Sequence, residues 1–474
     1  MKWAINTTAI ALLIFVAFLG LAKHDSVIAA QDEESKIEGL LLNRFAIDGN
    51  ADFVVRFTEQ ADLSSAYSME WNARGEFVYN TLRETATRSQ ANTIAILNGS
   101  GYKNQTLIGG NDLYVWGGNL AVANELAALP DVYFIRATRT YYIDPVVVIK
   151  PFENVSWAGD FLAKNTLTTV GNSTDATTDW GITDTKADQF WATFGVQGDG
   201  IKVANIDTGV QWNHPALVNQ FACPGDPGNP SCWKDPSNIC AGGTACDNSG
   251  HGTHTMGTMV AKDDPGLTYI AGMAPDATWI ACKGCESKSC SDFALITCAD
   301  WILAPGGIPA NRPNVVNNSW GGGGDNNWYQ AKIQAWVAAG IFPAFSAGNR
   351  TGCRTLGSPG DYQESFGTTG HNSSRVHNYA QGPSAFGDEP YTKPNITAPG
   401  VSICSTIPTN GWSCGYSGTS MASPHSAGAV ALLWSCQPNL IGQVTATFEA
   451  LQNGADAPDP SNPTCGIPPD GEGT

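Results

Sequence analysis

Three short segments hold side chains that could make and break an acyl bond. Asn205 to Gly209 reads NIDTG, Asn248 to His254 reads NSGHGTH, and Ser417 to His425 reads SGTSMASPH. A serine hydroxyl is a weak nucleophile at neutral pH and needs an adjacent base. Histidine suits that role because its unperturbed pKa lies near ~6.5. The histidine in turn needs a carboxylate on its other ring nitrogen, which fixes the tautomer and stabilises the imidazolium. Asp207, a histidine of the second segment and a serine of the third would supply these roles. Two other hydrolytic patterns fail. Gly415 to Thr419 (GYSGT) lacks the last glycine of a G-x-S-x-G elbow. His251 to His254 (HGTH) has neither the spacing nor the glutamate of the zinc motif H-E-x-x-H.

These segments must be positioned by a larger frame. Ile201–Ile206, Thr278–Cys282, Asn314–Ser319 and Ile341–Phe345 read as buried strands. Asn327–Ala339 reads as a helix stopped by Gly340. Ser420–Trp434 is small and apolar on nearly every face, which predicts a buried helix with Pro424 in its first turn. Leu440–Leu451 reads as another helix. Apolar strands with intervening helices predict an α/β fold, a doubly wound, mostly parallel sheet covered on both faces. Sites in such sheets form at the carboxyl ends of the strands, and Asp207 stands at one. Ahead of this frame, residues 31–150 are free of cysteine. A strand at Ala51–Phe57, a helix at Glu76–Leu97, a strand at Asp112–Trp116, a helix at Asn119–Leu129 and a strand at Asp131–Arg136 predict a small α+β, ferredoxin-like sandwich. Residues 151–180, rich in Asn, Thr and Asp, read as a linker.

Taken together, the DTG at Asp207, the HGTH at His251 and the GTSMASP at Gly418 resemble the three active-site signatures of the subtilisin-like serine proteases, the subtilases, in the family's order. The resemblance covers most of residues 181–440. Asn317 to Gly324 (NNSWGGGG) and Ser346 to Asn349 (SAGN) are similar to the bacillopeptidase F-like branch. The resemblance implies that Asp207 orients the base, His251 is the base and Ser420 the nucleophile. It implies oxyanion donors at the Asn349 side chain and the Ser420 N–H, helped by the positive end of the helix. His254, Ser417 and Ser423 are then structural. The primary specificity pocket would be walled by Ser319, Trp320 and Gly321 and by Ser346, Ala347 and Gly348, with Gly357 as its floor. Trp320 stands where an aliphatic residue is usual. Substrates would be proteins or peptides bound as an added strand, and Arg350 at the rim argues against basic residues at the cleavage site. Residues 31–150 resemble the family's propeptide, an intramolecular inhibitor and folding aid, removed somewhere in 145–180. The resemblance implies no cofactor for the chemistry. Structural calcium is frequent in the family, but no site can be placed from this sequence.

Bulk properties agree with an exported enzyme. The chain has 474 residues, 42% apolar and 14% charged, enough for two or three domains and a large core. Its net charge of −18, with no Lys/Arg run, excludes a nucleic-acid partner. Lys2, the apolar run Ala9–Ala22 and small residues up to Ala30 read as a secretory signal peptide at 1–30. The run is short for a membrane span, which needs ~20 apolar residues, so no stable membrane association is expected. The 13 cysteines all lie between Cys223 and Cys465. In an exported chain they predict disulfides, in preference to a zinc cluster at Cys282, Cys285, Cys290 and Cys298. Connectivity cannot be read, beyond Cys404–Cys414 as a plausible short-loop pair. An odd count leaves one thiol free or paired outside this sequence.

Past the signal region, N-x-[ST] sequons start at Asn98, Asn104, Asn154, Asn172, Asn317, Asn349, Asn372 and Asn395. A glycan on Asn349 would block the oxyanion site, and Asn317 lies at the inner end of a strand, so both are expected bare. Related catalytic domains usually run on past the helix that ends near Leu451. The peptidase domain, residues 181–474, is therefore expected to be cut short at its C-terminus. The rival readings are an inactive subtilase fold used for binding, against which every expected catalytic position is filled, and a different serine hydrolase such as an esterase.

Overall fold

The structure, a computed structural model, describes residues 35–143, 177–262, 269–377, 379–384, 386, 391–456 and 465. The expected leader at 1–30, most of the expected linker and the final segment after 465 lie outside the described residues.

Residues 35–143 build an N-terminal block. Its elements are α1 (Gly39–Asp48), β1 (Asn50–Phe57), α2 (Trp71–Gly99), β2 (Asn104–Leu107), β3 (Asp112–Asn119), α3 (Leu120–Ala127), β4 (Val132–Ala137) and β5 (Thr140–Tyr142). Strands β1 to β4 form an antiparallel sheet in the order β2-β3-β1-β4. Alternation along the strands decides which face each side chain takes. Phe53, Val55, Leu113 and Val115 enter a private core with α1 and α3, while Val54 and Tyr114 join the core of the rest of the protein. The Asn119 side chain accepts the Val122 N–H at 3.0 Å. That cap fixes the start of α3 one residue beyond the start expected from the sequence.

The remainder, the body, contains β6 (Lys202–Asp207), β7 (Trp233–Lys234), α4 (His251–Val260), β8 (Thr278–Lys283), β9 (Ser289–Ser291), α5 (Asp292–Leu303) and β10 (Val315–Asn318). It continues through α6 (Gln330–Ala338), β11 (Phe342–Ser346), β12 (Phe366–His371), β13 (Ile396–Pro399), the hairpin β14 (Ile403–Ile407) and β15 (Gly411–Tyr416), α7 (Thr419–Cys436) and α8 (Val444–Gly454). A seven-stranded sheet has the order β13-β12-β11-β10-β6-β8-β7. Every pairing in it is parallel, where a mostly parallel sheet was expected. From central β6 the chain first winds toward β8 and then returns to the other side through β10. The order therefore reverses between β6 and β10, where a site is expected.

Among the described residues six disulfides form: Cys223–Cys232, Cys240–Cys246, Cys282–Cys298, Cys285–Cys290, Cys353–Cys465 and Cys404–Cys414. The four cysteines weighed against a zinc cluster are thus two disulfides, and Cys436 is the free thiol.

Block and body meet through buried charges. Asp112 pairs with Arg56 at 3.0 Å and with Lys332, and Arg136 pairs with Asp292 at 2.5 Å. Asp300 accepts the N–H groups of Ile108 and Gly109 at 2.6 and 2.8 Å, and burial pushes its carboxyl up to about 6. Gly75 lies inside α2, where glycine costs about 1 kcal/mol against alanine. A Cβ there would lie 2.2 Å from the Arg312 guanidinium.

Candidate active site

Asp207 is the last residue of β6, His251 the first of α4 and Ser420 the second of α7. All three are buried, with at most 4% exposure. His251 Nδ1 donates to Asp207 Oδ1 at 2.7 Å. The same carboxylate accepts the Thr208 N–H at 2.7 Å and the Thr255 hydroxyl at 3.3 Å. With Nδ1 as donor, Nε2 is the basic end of the ring, and it is buried without a hydrogen-bond partner. The Ser420 hydroxyl does not meet it in this structure. It donates to the Ser319 carbonyl at 3.2 Å, and the Ser319 hydroxyl donates back to the Ser420 carbonyl at 2.9 Å.

A buried polar chain ties the three elements together. Asn205, two residues before Asp207, donates to Thr255 Oγ1 at 2.8 Å and to the Gly252 carbonyl at 3.1 Å. Asn317 on β10 donates to Asn205 Oδ1 and to Ser319 Oγ, each at 3.0 Å, and accepts the Ser423 hydroxyl at 2.7 Å. Asp247 is a second organiser. Its carboxylate accepts the N–H groups of Ser249, Gly250 and Thr253 and the hydroxyls of Thr208 and Thr253, all between 2.7 and 2.9 Å. One side chain thus caps the helix that carries His251 and holds the residue after Asp207. Reading the motifs alone missed Asp247 and Asn205. Asn205 opens the first motif and Asp247 directly precedes the second, but only pairing across elements shows what they hold.

Asn349 follows β11. Its Oδ1 accepts the Thr419 N–H at 2.8 Å and the Thr419 hydroxyl at 2.9 Å. These bonds orient the amide and make Nδ2 its donor end. Gly418, just before α7, has φ +155°, and a Cβ there would come within 3.0 Å of Nδ2. Only glycine fits both the backbone and the neighbour.

A small cavity is lined by Ser319, Trp320, Gly321, Ser346, Gly348 and Gly357 together with Ser420. Ala347 is buried behind this wall and accepts the Gly357 N–H at 2.9 Å. The Trp320 indole lies in the core, edge-on to Tyr329 and Phe345. Arg350 is exposed. Beside the cavity, β5 of the block pairs antiparallel with β9 (Tyr142 with Ser289, Tyr141 with Cys290, Thr140 with Ser291), and Tyr142 also bridges to Gly321. The Tyr141 ring stacks on Trp328 at 4.3 Å.

Two further histidines are buried and neutral. His254 stacks on Tyr416 at 4.4 Å, and burial lowers its pKa to about 3. His425 Nδ1 donates to the Met421 carbonyl at 2.8 Å, and burial lowers its pKa to about 4. Below ~6.5 the unfolded chain takes up a proton that folded His425 refuses. Stability is therefore complete above that pH and is lost as pH falls toward 4. Against His425→Gln, the wild type is expected to lose about 3 kcal/mol of relative unfolding free energy between pH 7 and 4. Urea unfolding of both proteins across that range measures the difference.

Among the described residues no group of three or more His, Cys, Asp or Glu could hold a metal ion, and no helix is long and apolar enough to cross a membrane.

Comparison with known proteins points the same way. Bacillopeptidase F of Bacillus subtilis is 38% identical over 307 residues, which are 60% of this chain and 21% of that protein. Subtilisin NAT of Bacillus subtilis subsp. natto is 32% identical over 263 residues, 55% of this chain and 61% of that protein. Subtilisin DY of Bacillus licheniformis is 30% identical over 270 residues, 56% of this chain and 87% of that protein. The chain thus spans about a fifth of the length of bacillopeptidase F and 61% of subtilisin NAT. The family model described as the Subtilase family matches residues 198–460, more than half of the chain and the whole of the site just described. A parallel α/β sheet that gathers these side chains, and this match, make the chain a member of the subtilase family.

Proposed function

We propose that the protein is a secreted serine endopeptidase made as a zymogen, which hydrolyses peptide bonds through an acyl-enzyme. The observation that carries this reading is the buried Asp207–His251 bond, which presents an unpartnered Nε2 in the fold that also brings Ser420 to the cavity. Rotation of the Ser420 side chain away from the Ser319 carbonyl hands its proton to Nε2 as Oγ attacks the substrate carbonyl. Asn349 Nδ2 and the Ser420 N–H, in the first turn of α7, then donate to the oxyanion. The imidazolium protonates the leaving amine, and a water activated by the same histidine releases the acid. This chemistry asks for no cofactor. The substrate runs between β9 and Gly321 as an added strand, with its primary side chain in the cavity beside Ser420.

Residues 1–30 are read as the signal peptide, 31–150 as the propeptide, 151–180 as the processing region and 181–474 as the peptidase domain. The placement of β5 supports an inhibitory role for the block, because its backbone fills the track a substrate would use. The disulfides fit an exported protein.

A fluorophosphonate probe and casein test the reading. The self-processed protein should label at Ser420 and release casein peptides faster than it hydrolyses a short-chain ester. Processed protein that neither labels nor cuts casein would be an inactive relative. Asn349→Ala is expected to lower kcat by about 10²–10³ with little change in KM, a loss known for this donor in subtilisin. A glycan found on Asn349 of active enzyme would sink that role.

A further inference from the structure

The first described stretch of the body reaches the catalytic elements from behind. Thr177–Thr178 pairs parallel with Tyr269–Ile270, and the Asp179 N–H donates to the Ile270 carbonyl at 2.9 Å. The Asp179 side chain is buried, at 4% exposure. Its Oδ1 accepts the Gly181 N–H at 2.9 Å, and its Oδ2 accepts the Cys404 N–H at 3.1 Å, across 225 positions. Beside it the Trp180 indole donates to the Val401 carbonyl at 3.2 Å. Gly181 packs against α7, where a Cβ would lie 2.3 Å from His425 Nε2 and 2.9 Å from Asp179 Oδ1.

Cys404 belongs to β14, and β14 meets both catalytic helices. Toward α4, the Ser405 hydroxyl donates to the His254 carbonyl and the Thr406 hydroxyl to the Thr253 carbonyl, each at 2.8 Å. His254 Nε2 donates to the Ile403 carbonyl at 3.2 Å. His251 opens the same helix. Toward α7, Cys404 is bridged to Cys414 of β15. Ser417 Oγ accepts the Ser402 N–H at 2.9 Å, and the Gly418 N–H donates to the Gly400 carbonyl at 2.8 Å, just ahead of Ser420. One strand therefore sets how far His251 stands from Ser420. That spacing matters, since a misplacement of ~1 Å can cost ~10²-fold in rate.

The residue type fits this load. A carboxylate has two acceptor oxygens, one for each N–H, whereas an amide has one acceptor oxygen and a hydroxyl has one. Among the described residues no cation pairs with Asp179. Burial pushes its carboxyl up to about 6. A serine would cap the short helix Trp180–Asp184 without burying a charge. Only the Cys404 N–H calls for the second oxygen.

We propose that Asp179 is a positioning residue, which fixes β14 and through it the spacing of His251 and Ser420, so that the mature enzyme must keep the chain from Thr177 onward. The proposal rests on the reading of Asp207, His251 and Ser420 as the triad. It also narrows the expected processing region, because a cut before Thr177 leaves this brace intact and a cut after Asp179 removes it.

The test uses the self-processed protein. Fluorophosphonate titration counts the sites, and kcat and KM are measured on a chromogenic peptide well below the melting temperature. Asp179→Asn should lower kcat roughly ten- to a hundredfold with KM within about twofold of the wild type. Trp180→Phe loses the bond to Val401 and should lower kcat less, again at a constant KM. Asn314→Ala is the control. Its Oδ1 accepts the Lys202 N–H at 2.9 Å, at the opposite end of β6 from Asp207. That variant should lower the melting temperature and leave kcat unchanged. Sequencing of the mature N-terminus should find a first residue no later than Thr177. A folded Asp179→Asn with wild-type kcat overturns the proposal, as does a fully active mature chain that starts after Asp179. If Asp179→Asn does not fold, Trp180→Phe decides, and wild-type kcat there overturns it. A wild type that neither labels nor cuts the peptide overturns the triad reading instead.

Discussion

Ser420→Ala is expected to lower kcat on a peptide substrate by about 10⁶, a magnitude taken over from the triad serine of subtilisin. The fold should survive. The lost hydroxyl makes one hydrogen bond, 3.2 Å to the Ser319 carbonyl, and a bond of that kind is worth about 1 kcal/mol. Binding and the oxyanion donors remain, so residual hydrolysis should still exceed the uncatalysed rate by about 10³–10⁴. The other serines of the segment provide the control. Ser417 accepts the Ser402 N–H at 2.9 Å and Ser423 donates to Asn317 at 2.7 Å, so their removal should lower thermal stability and leave kcat within about tenfold of the wild type. Active-site titration beside thermal melts separates the two effects. If Ser423→Ala were as inactive as Ser420→Ala at full stability, the nucleophile would be misassigned.

Asp207→Asn should lower kcat by about 10⁴ while His251 stays in place. The carboxylate now accepts from His251 Nδ1, from the Thr208 N–H and from the Thr255 hydroxyl. The ring and the Thr208 N–H share Oδ1, so an amide whose oxygen keeps the Thr255 contact at Oδ2 turns its NH₂ group to the ring. The ring responds by moving its proton to Nε2, the atom that should take the proton of Ser420. Geometry is preserved and the base is lost. A kcat/KM profile against pH checks this directly. In the variant, activity should recover as rising pH supplies hydroxide, without the plateau that a titrating histidine gives the wild type. A loss of only tenfold would mean that Asp207 is not needed to hold the tautomer.

Much of this frame was legible in the sequence because burial leaves a plain signature. The strands β6, β8, β10 and β11 are short apolar runs between turn residues and were found within one residue at either end. Strands β12 and β13 were not. Gly367, Gly370 and Pro399 dilute their strand character, and their place comes from pairing with β11 and its neighbour. Helix α5 was missed for a different reason. It is buried along almost its whole length between the sheet and the block, so it has no polar face and no helical period to read. The candidate residues could be picked because their motifs carry them. What holds them could not, since Asp247 meets Thr208 across 39 residues and Asn205 meets Asn317 across 112. Nor could the seat of Arg312 against α2, since the expected helix began at Glu76 and left Gly75 outside it.

The reversal of strand order between β6 and β10 has a consequence for the life of the newly made chain. Asp207 and His251 are 44 positions apart, and Ser420 bonds to Ser319 across 101 more. No fragment that holds two adjacent elements holds the whole site, and contacts of such separation form late in folding. On the proposed reading, cutting power therefore arrives only with the finished sheet, and an incomplete copy, the form most easily digested, cannot digest its siblings.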